Sequence, residues 1–323
     1  MHKPQIIRVT VRVAGRIAQA LFTVWCAATV SFFALGLVPG DPVDARFGPL
    51  ASLSDAQRAA LRQQFGLDAP LWMQYFDSLG KMALGDFGYS FQQHLPVLQV
   101  IGRQLQPTLQ LTVVALAFTV AFVLLGQFIS RARTAWAGAH LRARAVEFFQ
   151  LVAVSVPNYW VGFTLLIVFS YTLGWVPAGS NHGPSAAVLP ALAIAIPLAG
   201  LIGRVLDTEL DAVEHTAFAL SSRARGMGRW RFSTDHGLRH AAPPLAGLLT
   251  TLIGGILGGA VLIENVFARP GIGQVVLNAV LHRDMPVVIG CVVLSAMVFS
   301  ALGALADALV WWADPRPETR AAR

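Results

Sequence analysis

Six long stretches of this chain are apolar almost throughout, with polar segments between them. They are Ile17–Val38, Pro107–Ile129, Phe148–Leu173, Ala187–Gly203, Ala241–Ile263, and a last run that begins with Pro286–Ala306 and continues through Asp307 to Trp312. A bilayer core about 30 Å thick takes roughly 20 apolar residues of helix. Helices on the surface of a soluble protein keep one polar side, and these runs keep none. The pattern predicts an all-α chain with six membrane-spanning helices. Pro157 in the third run and Pro190 and Pro197 in the fourth remove backbone donors and permit kinks.

The segments between the runs carry the polar chemistry. Residues 39–105 are too polar to span. They hold turn signals at Pro39-Gly40-Asp41-Pro42 and Gly85-Asp86-Phe87-Gly88. Between these, Leu53–Phe65 reads as an amphipathic helix capped by Ser54, with Leu61 and Phe65 on one face. Residues 174–186 and 268–285 read as shorter loops on the same side, with Glu264 at the interface. The basic residues cluster on the other side: before the first run, at 131–144, at 204–239 and after the sixth. The positive-inside rule then places both termini and the 204–240 segment in the cytoplasm. The expected organisation is a cytoplasmic segment 1–16, a six-span domain 17–313 with a periplasmic loop at 39–105, and a cytoplasmic tail 314–323.

Composition sharpens this. The chain is 55% hydrophobic and 13% charged, with mean hydropathy +0.59. A soluble domain usually carries about 25% charged residues. The net charge of +7 suits basic loops on an anionic inner leaflet and needs no nucleic acid. The first apolar run is too long for a cleavable leader, whose core is about 7–15 residues. Trp25 ahead of Cys26 also argues against lipoprotein processing, so an uncleaved first span is expected. Cys26 and Cys291 both fall inside spans and read as small packing residues.

Several activities are excluded on residues. The two lysines, Lys3 and Lys81, stand in no GxxxxGK[ST] context, so no phosphate-cradling loop is present. HExxH and CxxC are absent, and no GxSxG follows a strand pattern. His236 and His240 have the spacing of a helical metal pair but lack supporting Cys or carboxylate ligands. No metal site and no enzyme are expected.

Candidate functional residues remain in two places. In the 204–240 segment, Val213, Ala217, Leu220 and Ala224 form an apolar stripe at helical spacing, beside Ser221, Arg223 and Arg225. Gly226 can end that helix. A short apolar ridge flanked by arginines fits a cytoplasmic protein partner; a basic loop lying on lipid is the other reading. Within the spans, Gly254, Gly255, Gly258 and Gly259 form overlapping GxxxG patterns that let helices approach closely, either inside this chain or at a subunit contact. Asp307 is an intramembrane carboxylate, and such groups are functional or ion-paired. Pro157, Asn158 and Tyr159 are pore or structural candidates.

Blocks of sequence along nearly the whole chain resemble one family, the permease subunits of ABC importers for dipeptides, oligopeptides and nickel. The opening block is Leu37-Val38-Pro39-Gly40-Asp41-Pro42. Phe65-Gly66-Leu67-Asp68-Ala69-Pro70-Leu71 and Gly85-Asp86-Phe87-Gly88-Tyr89-Ser90 follow it. Next come Ser155-Val156-Pro157-Asn158-Tyr159-Trp160, then Arg223-Ala224-Arg225-Gly226 with His236-Gly237-Leu238-Arg239-His240 and Pro244. Glu264-Asn265-Val266-Phe267 with Pro270-Gly271-Ile272-Gly273, Arg283-Asp284-Met285-Pro286-Val287, and Asp314-Pro315-Arg316 complete the series. The chain departs from the family's usual pattern at Ser221-Ser222, Arg225, Pro243, His240 and Arg269, where Trp is usual for the last.

The resemblance implies a type I ABC importer permease fold in the bacterial inner membrane. The implied partners are a second homologous permease subunit, two ATPase subunits, a periplasmic solute-binding protein and membrane lipid. The implied coupling loop is 217–226. ATP and Mg would be used by the ATPase subunits, with no cofactor bound by this chain. The implied cargo is a peptide or a nickel or metal-chelate solute; Pro157-Asn158-Tyr159-Trp160 and Arg223-Ala224-Arg225-Gly226 look nearer the nickel and metallophore branch. A six-span secondary transporter or channel is the alternative. It would call for midplane carboxylates and inverted repeats, and the sequence displays neither.

Overall fold

A computed structural model describes residues 3–37, 54–64, 68–131, 136–176 and 184–313. The side chains of Leu61, Arg223 and Asp307, and the surroundings of Gly254, Gly255, Gly258 and Gly259, lie outside what is described, as do Val38–Pro42, Phe65-Gly66-Leu67 and Asp314-Pro315-Arg316. Among the described residues the chain is helical, with a single isolated bridge between Tyr89 and Pro96. The helices are α1 Lys3–Gly36, α2 Asp55–Gln64, α3 Leu71–Ala83, α4 Val97–Arg131, α5 Trp136–Ser155, α6 Asn158–Leu165, α7 Val188–Glu214, α8 Ala217–Ala224, α9 Arg229–Phe232, α10 Leu238–Val266, α11 Ile272–Leu281 and α12 Met285–Ala313. α6 runs on as a π-helical segment, Leu166–Thr172.

Among the described residues, four helices are long and apolar enough to cross a membrane, within α1, α4, α7 and α12. The pair Leu141–Ser155 and Asn158–Thr172 makes a fifth if it is one span, but its halves meet at 101°. The bend falls at Pro157, where a kink was expected within Phe148–Leu173, and is sharper than a kink. Pro157 adopts extended geometry, at φ −57° and ψ 140°, so the helix breaks there instead of bending. Its carbonyl then accepts from Trp160 and Val161 N–H at 3.0 and 3.2 Å, starting α6 afresh. α10 occupies the fifth apolar run.

The chain divides into two compact units. The first comprises residues 1–108 and 270–301. Its core joins Val97, Val100 and Ile101 of α4 to Ala279 of α11 and Val287, Val288 and Cys291 of α12. Gly290 permits this approach, since a Cβ there would stand 2.6 Å from Val97 Cγ1. Asp284, buried, accepts from Ser90 Oγ and from the Phe91 and Gln92 N–H groups at 3.0 and 3.3 Å, pinning the turn before α4. α1 meets α3 through Thr29 Oγ1 and the Tyr75 hydroxyl, 2.8 Å apart. Ser54 and Gln57 form a reciprocal capping box at the start of α2.

The second unit, residues 109–269 and 302–323, is built on α7. Half of α7's most apolar window is buried, against 11% for α1. Ala191, Ala193, Ala195 and Ala199 line its buried side, with Leu111, Ala115, Ile263 and Phe267 around them. Small residues let neighbouring backbones close in. At Gly200 a Cβ would stand 2.8 Å from the Gln150 carbonyl oxygen and 2.9 Å from Ala153 Cβ of α5.

Several helices run beyond the expected boundaries, and one lies where none was expected. α4 starts ten residues before Pro107, because Val97, Val100 and Ile101 supply a buried helical face among polar neighbours. α7 continues past Gly203 to Glu214. α11 lies where a loop was expected; Ile272, Val275, Val276 and Ala279 at i, i+3, i+4 and i+7 bury one face of it.

Candidate functional site

The polar end of the second unit is the site the fold constructs most elaborately. Asp207, Asp211 and Glu214 recur at i, i+4 and i+7 on α7, so they share one face. Arg131, the last residue of α4, is directed into them. Its side chain is only 2% exposed. Nη1 bonds Glu214 Oε1, Nη2 reaches Asp207 and Asp211 at 3.3 and 3.2 Å, and Nε donates to Gln127 Oε1 at 2.9 Å. Gln127 and Gln150 Nε2 each donate to Asp207, at 2.8 and 2.9 Å. A buried cation is tolerated only when paired and hydrogen-bonded in this way.

Arg229 completes the cluster from the far side of the 204–240 segment. Its Nε lies 2.9 and 2.8 Å from the two Glu214 oxygens, and Nη2 lies 3.3 Å from Asp211. Partial burial works against the Arg229 charge. The Glu214 bond and the charges of Glu214, Asp211 and Asp207 outweigh it and raise the guanidinium above its ordinary value. The sign follows: a cation raised on folding adds stability below its unfolded value and loses it only above the folded one. Both lie far above neutral pH, so Arg229 stays charged at any physiological pH.

Between Glu214 and Arg229 the chain makes an excursion that carries α8. Thr216 caps it, its Oγ1 accepting from Ala219 N–H at 3.3 Å. The helix ends as Gly226 takes φ 77°, with Met227 N–H bonding back to the Ser222 carbonyl at 3.1 Å. That is the glycine-dependent Schellman closure. One side of α8 is anchored: Ala219 is fully enclosed and packs with Val213 and Phe232. The other side is free. Ala217, Leu220, Ser221 and Ala224 are exposed, Leu220 to 62%, with Phe218 exposed to 53% beside them.

This corrects the continuous stripe expected from Val213 to Ala224. The helix breaks at His215–Thr216, and Val213 belongs to the buried cluster. The exposed row is Ala217, Leu220 and Ala224. Arg225 is exposed; the Arg223 side chain lies outside the described set. His236 packs edge-on against Phe218, with ring centroids 5.1 Å apart, and also meets Phe232. Among the described residues no cluster of His, Cys, Asp and Glu suits a metal ion.

Asn158 and Tyr159 do not join this site. Tyr159 is exposed and Asn158 half-buried at the break after Pro157. Gly254, Gly255, Gly258 and Gly259 fall within α10, and Asp307 within α12, but their surroundings are outside the described set. Glu264, expected at the membrane interface, is fully enclosed near the end of α10, and its carbonyl accepts from Arg269 N–H at 2.8 Å after the turn at Phe267–Ala268. Burial lowers the Arg269 value and Glu264 opposes that shift. The first unit holds a cavity of about 120 Å³ lined by Gln92, Gln93, Gln104, Gln274 and Asn278, with Asp284 in its wall. Its chemistry is that of amide hydrogen bonding.

α8 thus presents an exposed apolar face beside a base closed by charge-assisted bonds. Comparison with known proteins gives the family. Residues 134–319 match the family described as binding-protein-dependent transport system inner membrane component. This chain belongs to that family. A Brucella abortus protein, named provisionally as a peptide transport system permease, is 30% identical over 95% of this chain and 98% of its own length. The glutathione transport system permease protein GsiC of Salmonella typhimurium is 31% identical over 92% and 95%. A Brucella ovis protein, named provisionally as a peptide permease, is 32% identical over 88% and 92%. The chain is a permease subunit of an ABC importer and a multi-pass inner membrane protein. Its transport is dependent on a binding protein, which implies a solute-binding protein and an ATPase as partners.

Sequence reasoning missed the Arg131 cluster. Its signal was present in the 3–4 residue spacing of Asp207, Asp211 and Glu214, which lies beyond the apolar run and so outside the stretch read as helix.

Proposed function

We propose that this chain forms half of the translocation path for peptide-class solutes, with a second homologous permease subunit forming the other half. Two ATPase subunits dock on the cytoplasmic face, one of them at α8, and use ATP and Mg. A periplasmic binding protein delivers cargo to the opposite face. Both termini and the 204–240 segment are cytoplasmic, and residues 39–105 are periplasmic; the clustering of arginines supports this orientation. Peptides are preferred over nickel chelates because the similar proteins are named for peptide and glutathione transport.

The observation that carries the docking assignment is α8 itself. Two large apolar side chains, Phe218 and Leu220, stand exposed on an eight-residue helix closed by a left-handed glycine. An isolated helix that short is not stable in water. It is held here by its anchored side, leaving the free side for a cleft in a partner. Gly226 tests this. No neighbour would obstruct a Cβ there, but φ 77° disfavours any other residue by about 1–2 kcal/mol. Gly226→Val should therefore re-aim α8 without harming the spans. The expected result is wild-type abundance in the membrane, retained ATP hydrolysis by the assembled complex, and loss of uptake of labelled dipeptides and glutathione. Unchanged uptake at equal abundance contradicts the assignment.

A further inference from the structure

The docking helix is attached at both ends to the same carboxylate. Glu214 ends α7 just before α8, and Arg229 begins α9 just after it, fifteen positions on. Their direct bonds close the base of the excursion, so the two strands leading to α8 cannot part independently. That base is itself fixed to three long helices. Arg131 ties Glu214 to α4, Asp207 and Asp211 belong to α7, and Gln150 brings in α5. The returning strand is tight as well. Trp230 meets Phe128 of α4 edge-on at 5.6 Å, and a Cβ at Gly237 would collide with Leu210 Cδ2 of α7.

Elsewhere the excursion has points that give. His215–Thr216 interrupts the helix, and Gly226 and Gly228 follow α8. A push on α8 would dissipate at these points if the base were loose. Charge-assisted bonds between planar groups are short, directional and resistant to shear, and coupling travels through contiguous rigid contacts.

We propose that the Glu214–Arg229 clasp, seated on Arg131, is the joint that passes movement of α8 into α4, α5 and α7. Glu214, Arg229 and Arg131 are positioning residues: they act through the helices and touch no solute. The proposal rests on the reading of α8 as the ATPase-docking helix.

The test uses the assembled complex in lipid nanodiscs and compares amide hydrogen exchange with ADP and with ATP plus vanadate. In the unaltered chain, nucleotide should change exchange at 217–226 and also at 120–131 and 142–155. In Arg229→Met, which leaves Glu214 paired with Arg131 and so preserves the buried cation's partner, the response at 217–226 should persist. The response at 120–131 and 142–155 should fall about fivefold. Arg229→Lys keeps the charge but loses the forked contact, and should give an intermediate response. An undiminished response at 120–131 and 142–155 in both variants overturns the joint. So does a response in the unaltered chain confined to 217–226. An unaltered chain that shows no response at 217–226 refutes the docking reading itself, which distinguishes the two failures.

Discussion

Arg131 and Arg229 share Glu214 and Asp211, yet they are in different physical positions. The Arg131 side chain is 2% exposed and the Arg229 side chain 44%. Removing one member of a buried pair leaves an uncompensated charge and costs about 3–5 kcal/mol. A half-exposed pair is worth about 1 kcal/mol or less, because water screens it. Arg131→Leu should therefore lower the denaturation midpoint of the detergent-purified protein strongly, while Arg229→Leu should shift it little. Equal shifts would mean that the cluster is not organised around Arg131. The same contrast explains why Arg229, and not Arg131, is the residue to alter when coupling is to be separated from folding. Of these residues, the arginines were legible in sequence only as positive charge. Their partners were not, since pairing requires knowing that α7 outlasts its apolar run.

At the scale of elements, α7 and its glycines set the geometry of the second unit. Gly200 abuts the α5 backbone, where a Cβ would meet the Gln150 carbonyl oxygen at 2.8 Å. A carbonyl cannot rotate away as a side chain does, so α5 and α7 must separate. Overpacking of this kind costs about 1–3 kcal/mol. Gly200→Ala should lower the denaturation midpoint. Gly126→Ala, whose Cβ would make ordinary contact with Val146 Cγ1 at 3.5 Å, should not. If both are tolerated, the close α5–α7 approach is not structural. The apolar runs disclosed which segments are helices, because length and uniform hydrophobicity are intrinsic to a span. They did not disclose where helices stop. α4 and α7 extend through Arg103, Gln104, Asp207 and Asp211, residues that interrupt an apolar window without interrupting a helix. The sharp break at Pro157 was equally hidden. A missing donor permits either a kink or a restart, and the packing of Gly162 against Ile263, Phe267 and Ala193 accompanies the restart.

At the scale of the whole molecule, the family could be identified from ordered motifs, and the comparisons place the chain in it. Which face of α8 is free could not. The sequence offers Val213, Ala217, Leu220 and Ala224 as one stripe, and only the break at Thr216 separates the buried member from the exposed ones. The central claim is that this exposed face is where an ATPase subunit sits. Leu220 is its most outward large residue on the described surface of α8, so it is the position to interrogate. The direct measurement replaces Cys26 and Cys291 with Ala, introduces Leu220→Cys, and treats membranes containing the whole complex with a short bifunctional thiol-reactive linker against single cysteines placed on the ATPase subunit. A cross-linked product of this chain with the ATPase, whose yield changes with bound nucleotide and which is absent for a cysteine at Asp77 of α3, is the predicted result. Cross-linking from Asp77 but not from Leu220, with the complex intact, would contradict the account.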